Sequence, residues 1–201
     1  MLKTLAVASI LQLSVLVAGL PEAGQALASR YDAMDVEHHW LAGQHVAWRT
    51  GDPDSGKSDK SHCSAFVAAT CERLGIYILR PPEHGQVHLA TAQADWLRQE
   101  GGRFGWKRVD SPATAQELAN QGKVVVAAFG SQDPDKPGHI ALVRPFEKPA
   151  SLLDSEGPQV TQAGMENAAS ASLKEGFRHH RRAWVNSTAF QVEFYCHDWH
   201  P

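Results

Sequence analysis

Lys123-Val124-Val125-Val126-Ala127-Ala128-Phe129, followed by GSQDPDKP (130–137) and then Gly138-His139-Ile140-Ala141-Leu142-Val143, is the stretch whose reading decides the fold. Its first seven residues are β-branched or apolar almost throughout, which predicts a central strand. The eight residues that follow are polar and rich in Pro and Asp, so they make a turn-forming loop. Eight residues are too few for a crossover helix, and the second apolar run is therefore expected to return antiparallel beside the first. Side-chain alternation along that second strand places His139, Ala141 and Val143 on one face.

Downstream, residues 159–162 (QVTQ) form a candidate third strand. Residues 168–174 read as a short helix before Gly176, and residues 188–195 (TAFQVEFY) as a last, alternating strand. Upstream, residues 114–120 form a helix closed by Gly122, residues 104–109 a short strand, and residues 86–100 a helix stopped by Gly101-Gly102. The β-branched run 76–79 is halted by Pro81-Pro82. Residues 63–74 carry Cys63, Phe66, Val67, Thr70, Cys71 and Leu74 at three- and four-residue intervals, with Gly75 as the C-cap. Residues 50–61 (TGDPDSGKSDKS) are a polar surface loop, and residues 35–48 read as a helix running into a short extended piece. Helices early and strands late specify an α+β domain with N-terminal helices and a central antiparallel sheet.

The chain has 201 residues, 43% hydrophobic and 20% charged, with 19 Lys+Arg against 22 Asp+Glu and a net charge of -3. That size fits one globular domain. With no basic cluster longer than His179-His180-Arg181-Arg182, nucleic acid is not an expected partner. At the N-terminus, Lys3, an apolar run over 5–20, Pro21 and the triplet Ala26-Leu27-Ala28 read as a secretory signal peptide over 1–28. The mature domain would then span 29–201, in the periplasm or outside the cell. In an oxidising compartment, an odd count of cysteines (Cys63, Cys71, Cys196) leaves one over, and a Cys71–Cys196 pairing would leave Cys63.

Cys63 at a helix start is a candidate nucleophile, because the unpaired N–H groups and dipole of a helix N-terminus favour a thiolate. The same N–H groups, of Cys63 or Ser64, could receive an oxyanion. A cysteine nucleophile needs a base, and His139, opening a strand just after a polar loop, is the best placed of the 11 histidines. A polar residue should then hold the imidazole in its working tautomer. Gln159, Gln162 and Asn167 are available, with Gln162 preferred.

His62-Cys63-Ser64-Ala65-Phe66-Val67, then Gly75-Ile76, then Gly138-His139-Ile140-Ala141-Leu142-Val143 resemble the NlpC/P60 and CHAP group of papain-like peptidoglycan hydrolases. The preceding Val46-Ala47-Trp48-Arg49-Thr50-Gly51 looks like the aromatic-Gly segment before their cysteine. The chain departs from the group's usual pattern at His62, normally Asp, and at Ala65, normally Gly. The resemblance spans residues 40–162 and implies a papain-like, NlpC/P60-type fold. It also implies a monomeric cysteine peptidase or amidase without cofactor, acting on amide bonds of peptidoglycan or its peptides. Cys63, His139 and Gln162 would carry the reaction, and Ser64, His62 and Trp48 would serve the oxyanion or the substrate.

Two other classes compete. One is a catalytically silent cell-wall or partner-binding module of the same fold. The other is a zinc hydrolase using His84 and His88, or the C-terminal Cys196-His197-Asp198-Trp199-His200 cluster. His38-His39 and His179-His180 read as solvated surface, and Trp96, Trp106 and Trp184 as core or rim.

Overall fold

A computed structural model of the chain describes residues 19–56, 61–133, 135–180 and 182–200. Its centre is a six-stranded, wholly antiparallel sheet built from β1 (Lys107–Val109), β2 (Val124–Phe129), β3 (His139–Val143), β4 (Gln159–Gln162), β5 (Ala168–Ser172) and β8 (Glu193–His197). The strand order is β1-β8-β2-β3-β4-β5. A separate two-stranded ribbon pairs β6 (Trp184–Asn186) with β7 (Ala189–Phe190). The helices are α1 (Glu22–Asp32), α2 (Cys63–Arg73), α3 (Leu89–Gln99), α4 (Pro112–Asn120), α5 (Ala150–Glu156) and α6 (Leu173–Gly176). The fold is thus mixed α+β, and residues 123–143 make the antiparallel β2–β3 pair that the loop length required.

Both faces of the sheet are covered, which is why β2 reads as a continuous apolar run and not as an alternating one. Val124, Val126, Ala128, Ile140 and Leu142 face a core built with α1, α2 and α3, including Leu27, Phe66 and Ala94. Val125, Ala127, Ala141, Val143 and Val160 face a second core closed by α4, Leu173, Phe177 and Trp184. Across the first core, Arg144 is only 1% exposed and meets Asp32 of α1 through both terminal nitrogens, at 2.7 and 2.9 Å.

Several expectations are corrected. Residues 35–48 form turns and no helix. Asp35 and Trp40 adopt positive φ, and Asn167 donates to the main-chain oxygens of Val36, His39 and Trp40, so long-range pinning outweighs the loose apolar spacing. Residues 168–172 are strand β5, not helix, because pairing with β4 overrides the helix preference of their alanines. The β-branched run 76–79, to which the sequence assigned no element, is irregular. Ile76 N–H caps α2 on Cys71, and the Tyr77 carbonyl accepts from Trp106. The last strand is split into β7 and β8, since the N–H groups of Gln191 and Val192 both turn to the Ala183 carbonyl. Helix α3 starts at Leu89, three residues late, because His88 lies at φ 54°. Cys71 and Cys196 belong to opposite cores, and all three cysteines are buried thiols. The odd-count argument therefore no longer singles out Cys63.

Of the N-terminal segment, residues 1–18 lie outside the described residues. The triplet Ala26-Leu27-Ala28 lies within α1, with Leu27 and Ala28 buried. Of the surface loop 50–61, residues 57–60 lie outside the described residues, and the rest is irregular apart from a single antiparallel bridge between Pro53 and Val46.

Candidate active site

The site forms where the ladder between β3 and β4 opens. These strands pair at Leu142–Thr161 and Val143–Val160, and β4 ends at Gln162, so His139 and Ile140 begin β3 with their β4-facing side unpaired. The continuation of that register would set His139 opposite Gly164. A Cβ on Gly164 would indeed lie 3.6 Å from the His139 ring. Gly138 lets the strand enter tightly, since a Cβ there would stand 2.3 Å from the Phe129 carbonyl.

Helix α2 brings Cys63 into this notch. Its first-turn N–H groups have no intrahelical partner, the first helical bond running from Phe66 N to His62 O at 2.9 Å. The thiol is 5% exposed, and this burial pushes its pKa above the ordinary range. Pulling the other way are the N–H groups of Ile140, Ser64 and Cys63 itself, together with the Ser64 side chain. The sulfur thus sits against the residue that follows His139.

His139 is 5% exposed, and Gln162 is 4% exposed. His139 Nε2 lies 2.7 Å from Gln162 Oε1, while Gln162 Nε2 donates to the Glu166 carbonyl at 3.2 Å. That second bond fixes the amide orientation. The oxygen facing the imidazole can only accept, so Nε2 of His139 carries the proton and Nδ1 keeps its lone pair. The ring plane is set by Phe177, edge-on at 4.5 Å, and by His180, stacked at 5.4 Å with 17° between planes. Burial drives the His139 pKa down to about 4, against the Gln162 bond that raises it. At neutral pH both thiol and imidazole are therefore uncharged, and among the described residues no hydrogen bond joins them.

Of the other predicted residues, Ser64 flanks the thiol, and its carbonyl accepts from Gln93 at 3.2 Å. His62 is buried, and its Nε2 donates to the Gln44 carbonyl at 2.7 Å, so it ties down the preceding loop. Trp48 packs on the core, half-buried, with Arg49 over its ring, and lines neither cleft that opens over the notch. Gln159 bonds Ser170, and Asn167 holds the 36–40 turns, so among the three alternatives it is Gln162 that reaches the imidazole.

Sequence reading missed His180, which is half-buried against His139 and not solvated surface. It also missed Gly176, where a Cβ would stand 2.8 Å from Gln162 Oε1. The three-residue step from Phe177 to His180 was the available signal for two rings on one side of a turn. His84 bonds the Gly85 carbonyl, and both ring nitrogens of His197 bond main-chain carbonyls. Among the described residues no group of three or more His, Cys, Asp or Glu gathers as metal ligands would.

Two clefts meet over the notch. One, of about 290 Å³, holds Cys63 and Ser64 with Gln86, Val87 and His88. The other, of about 230 Å³, holds His139 and Gln162 with Lys136, Arg178 and His180. They share a rim of Ser61, Pro137 and Gly138. Comparison with known proteins finds no family model that matches the chain and no curated protein that matches it.

Proposed function

We propose that the protein is a papain-like cysteine hydrolase of peptide amides, exported to the periplasm or beyond and acting on peptidoglycan peptides. The observation that carries this reading is the notch itself. The backbone N–H of Ile140 favours the thiolate of a cysteine at a helix start, and the preceding residue, His139, has its tautomer fixed by Gln162. The motif order around Cys63 and His139 supports the substrate class, and the apolar leader supports export.

In the proposed reaction the Cys63 proton passes to Nδ1 of His139, the nitrogen that Gln162 leaves free. The sulfur attacks the carbonyl carbon, and the oxyanion meets the free N–H groups at the start of α2. A C–S bond forms, the C–N bond breaks, and the amine leaves with the proton from His139. Water then attacks the thioester, gives a proton to His139, and releases the acid as the thiol is restored. Because the resting pair is neutral, the proton transfer belongs to the attack and is not complete in the free protein.

The test is digestion of purified sacculi from several wall types by the wild type and by Cys63→Ala, with soluble products identified by mass spectrometry. Muropeptides released by the wild type alone are the expected result. The raised thiol pKa favours one rival, the silent binding module. No product from any wall, together with a thiol inert to iodoacetamide at neutral pH, would hand the protein to that class.

A further inference from the structure

The proposed chemistry divides the labour between the two clefts, and the assignment of subsites rests on that reading. His139 must protonate the departing amine, so the amine side of the substrate belongs to the cleft that His139 lines. The acyl side belongs to the cleft that Cys63 lines. The wall of the acyl-side cleft is built by Gln86, Val87 and His88, and three anomalies concentrate there.

Gln86 Nε2 donates to the Val46 carbonyl at 3.1 Å, but Gln86 Oε1 is buried with no partner among the described residues. Buried acceptors are normally satisfied, so a donor brought by a ligand would fill this one. Val87 is 66% exposed, the highest value among the exposed large hydrophobic side chains described. His88 occupies the left-handed region at φ 54° with no side-chain cap on the helix it opens. Such strain persists where the surroundings enforce it, and it gathers at ligand-binding sites. Charge sharpens the picture. Among the described residues the acyl-side lining includes Asp135 and no Lys or Arg, whereas the amine-side lining includes Lys136 and Arg178, the latter paired with Glu166 of the same lining.

We propose that Gln86, Val87 and His88 form the specificity wall of the acyl subsite, which takes an uncharged peptide residue. The backbone N–H of that residue satisfies Gln86 Oε1, and its apolar side chain covers Val87. A carboxylate in this subsite meets Asp135 and, among the described residues, finds no Lys or Arg.

Peptidyl chloromethyl ketones ending in Ala, Leu, Glu or Lys test this. The Cys63 sulfur displaces chloride, forming C–S as C–Cl breaks, and the thiol proton goes to His139. Labelling of Cys63 is followed by intact mass, with iodoacetamide as a small reagent that needs no subsite. The wild type is expected to label about tenfold faster with Ala and Leu than with Glu, and about tenfold faster than with an N-methylated Ala analogue. In Val87→Asp, an exposed position the fold does not depend on, the Ala and Leu rates should drop about tenfold while the iodoacetamide rate stays within about twofold. Equal rates for all four residues, or a preference untouched by Val87→Asp, overturn the subsite while leaving the nucleophile standing. A Cys63 that reacts with neither reagent overturns both.

Discussion

Gln162 and His139 are held 2.7 Å apart on neighbouring strands whose ladder has already opened between them. Because Gln162 also donates to Glu166, it is a positioning residue with one allowed orientation. A general base contributes roughly 10²–10⁴-fold, and Gln162→Ala should lose the part that depends on tautomer and ring plane, about 10- to 100-fold in kcat with KM within about twofold. Gln162→Glu should recover much of this. It should also move the acid limb of the pH profile upward, since a carboxylate beside the imidazole favours its charged form. An unchanged acid limb in Gln162→Glu would show that residue 162 does not act through His139.

Acid should destabilise the fold over a defined window. Burial, and for His180 also the neighbouring His139 and His179, hold His139 and His180 to pKa values of about 4, against 6.5 for a free imidazole. Between these values the unfolded chain binds protons that the folded chain refuses, so stability rises with pH. It is complete above pH 6.5 and is lost as pH falls toward 4, with His139 accounting for roughly 3 kcal/mol at the low end. Urea midpoints at pH 7.5 and 4.5 measure this. His139→Gln and His180→Phe should each flatten the dependence relative to the wild type, and a wild-type midpoint that does not move contradicts it.

How far the sequence could be read follows from the range of the forces involved. The β2–β3 pair and helix α2 were legible because their apolar residues and turn chemistry act locally. Gly75, at φ 73°, caps α2 as its position suggested. Strand β5 was not legible, since alanines prefer helix and only the partner strand decides otherwise. Trp40 sits in the left-handed region because Gly51 and Asn167, far along the chain, receive and supply its main-chain hydrogen bonds. In the site, strand alternation gave the His139 face, and Gln162 was preferred among three candidates. The three-residue step from Phe177 to His180 hints at two rings on one side of a turn, but their packing on His139 depends on where the turn after α6 folds back, which long-range packing decides.

The clamp between Arg144 and Asp32 should be needed for stability. Arg144 is buried, and its remaining bonds go to Thr161 and the Ala169 carbonyl, at 3.4 and 3.3 Å. Asp32→Ala leaves the guanidinium inside without its counter-charge. Because the Asp32 side chain is 52% exposed, we expect a loss of about 2–3 kcal/mol, below the usual range for breaking a fully buried pair. Replacing both partners, as Asp32→Leu with Arg144→Met, should recover part of it, and chemical denaturation of the wild type, Asp32→Leu, Arg144→Met and the double variant closes the cycle. Equal stability of Asp32→Ala and wild type would mean that water already solvates Arg144.

The placement of Ala26-Leu27-Ala28 inside α1 sets a physical condition on any processing there. A cut after Ala28 severs the helix in its middle and removes Leu27 and Ala28, both buried, while Tyr31 and Asp32 lose the turn that holds them. Gly24 packs so closely on α4 that a Cβ would stand 2.1 Å from the Asn120 carbonyl, so the first half of α1 is fitted to its neighbour. A protein beginning at residue 29 should therefore be about 2–5 kcal/mol less stable than one beginning at residue 20, the range for emptying a large buried side-chain site. Thermal and urea unfolding of the two proteins decide the matter. Equal stability would show that α1 before residue 29 adds nothing to the fold, and a cut after Ala28 would then be harmless.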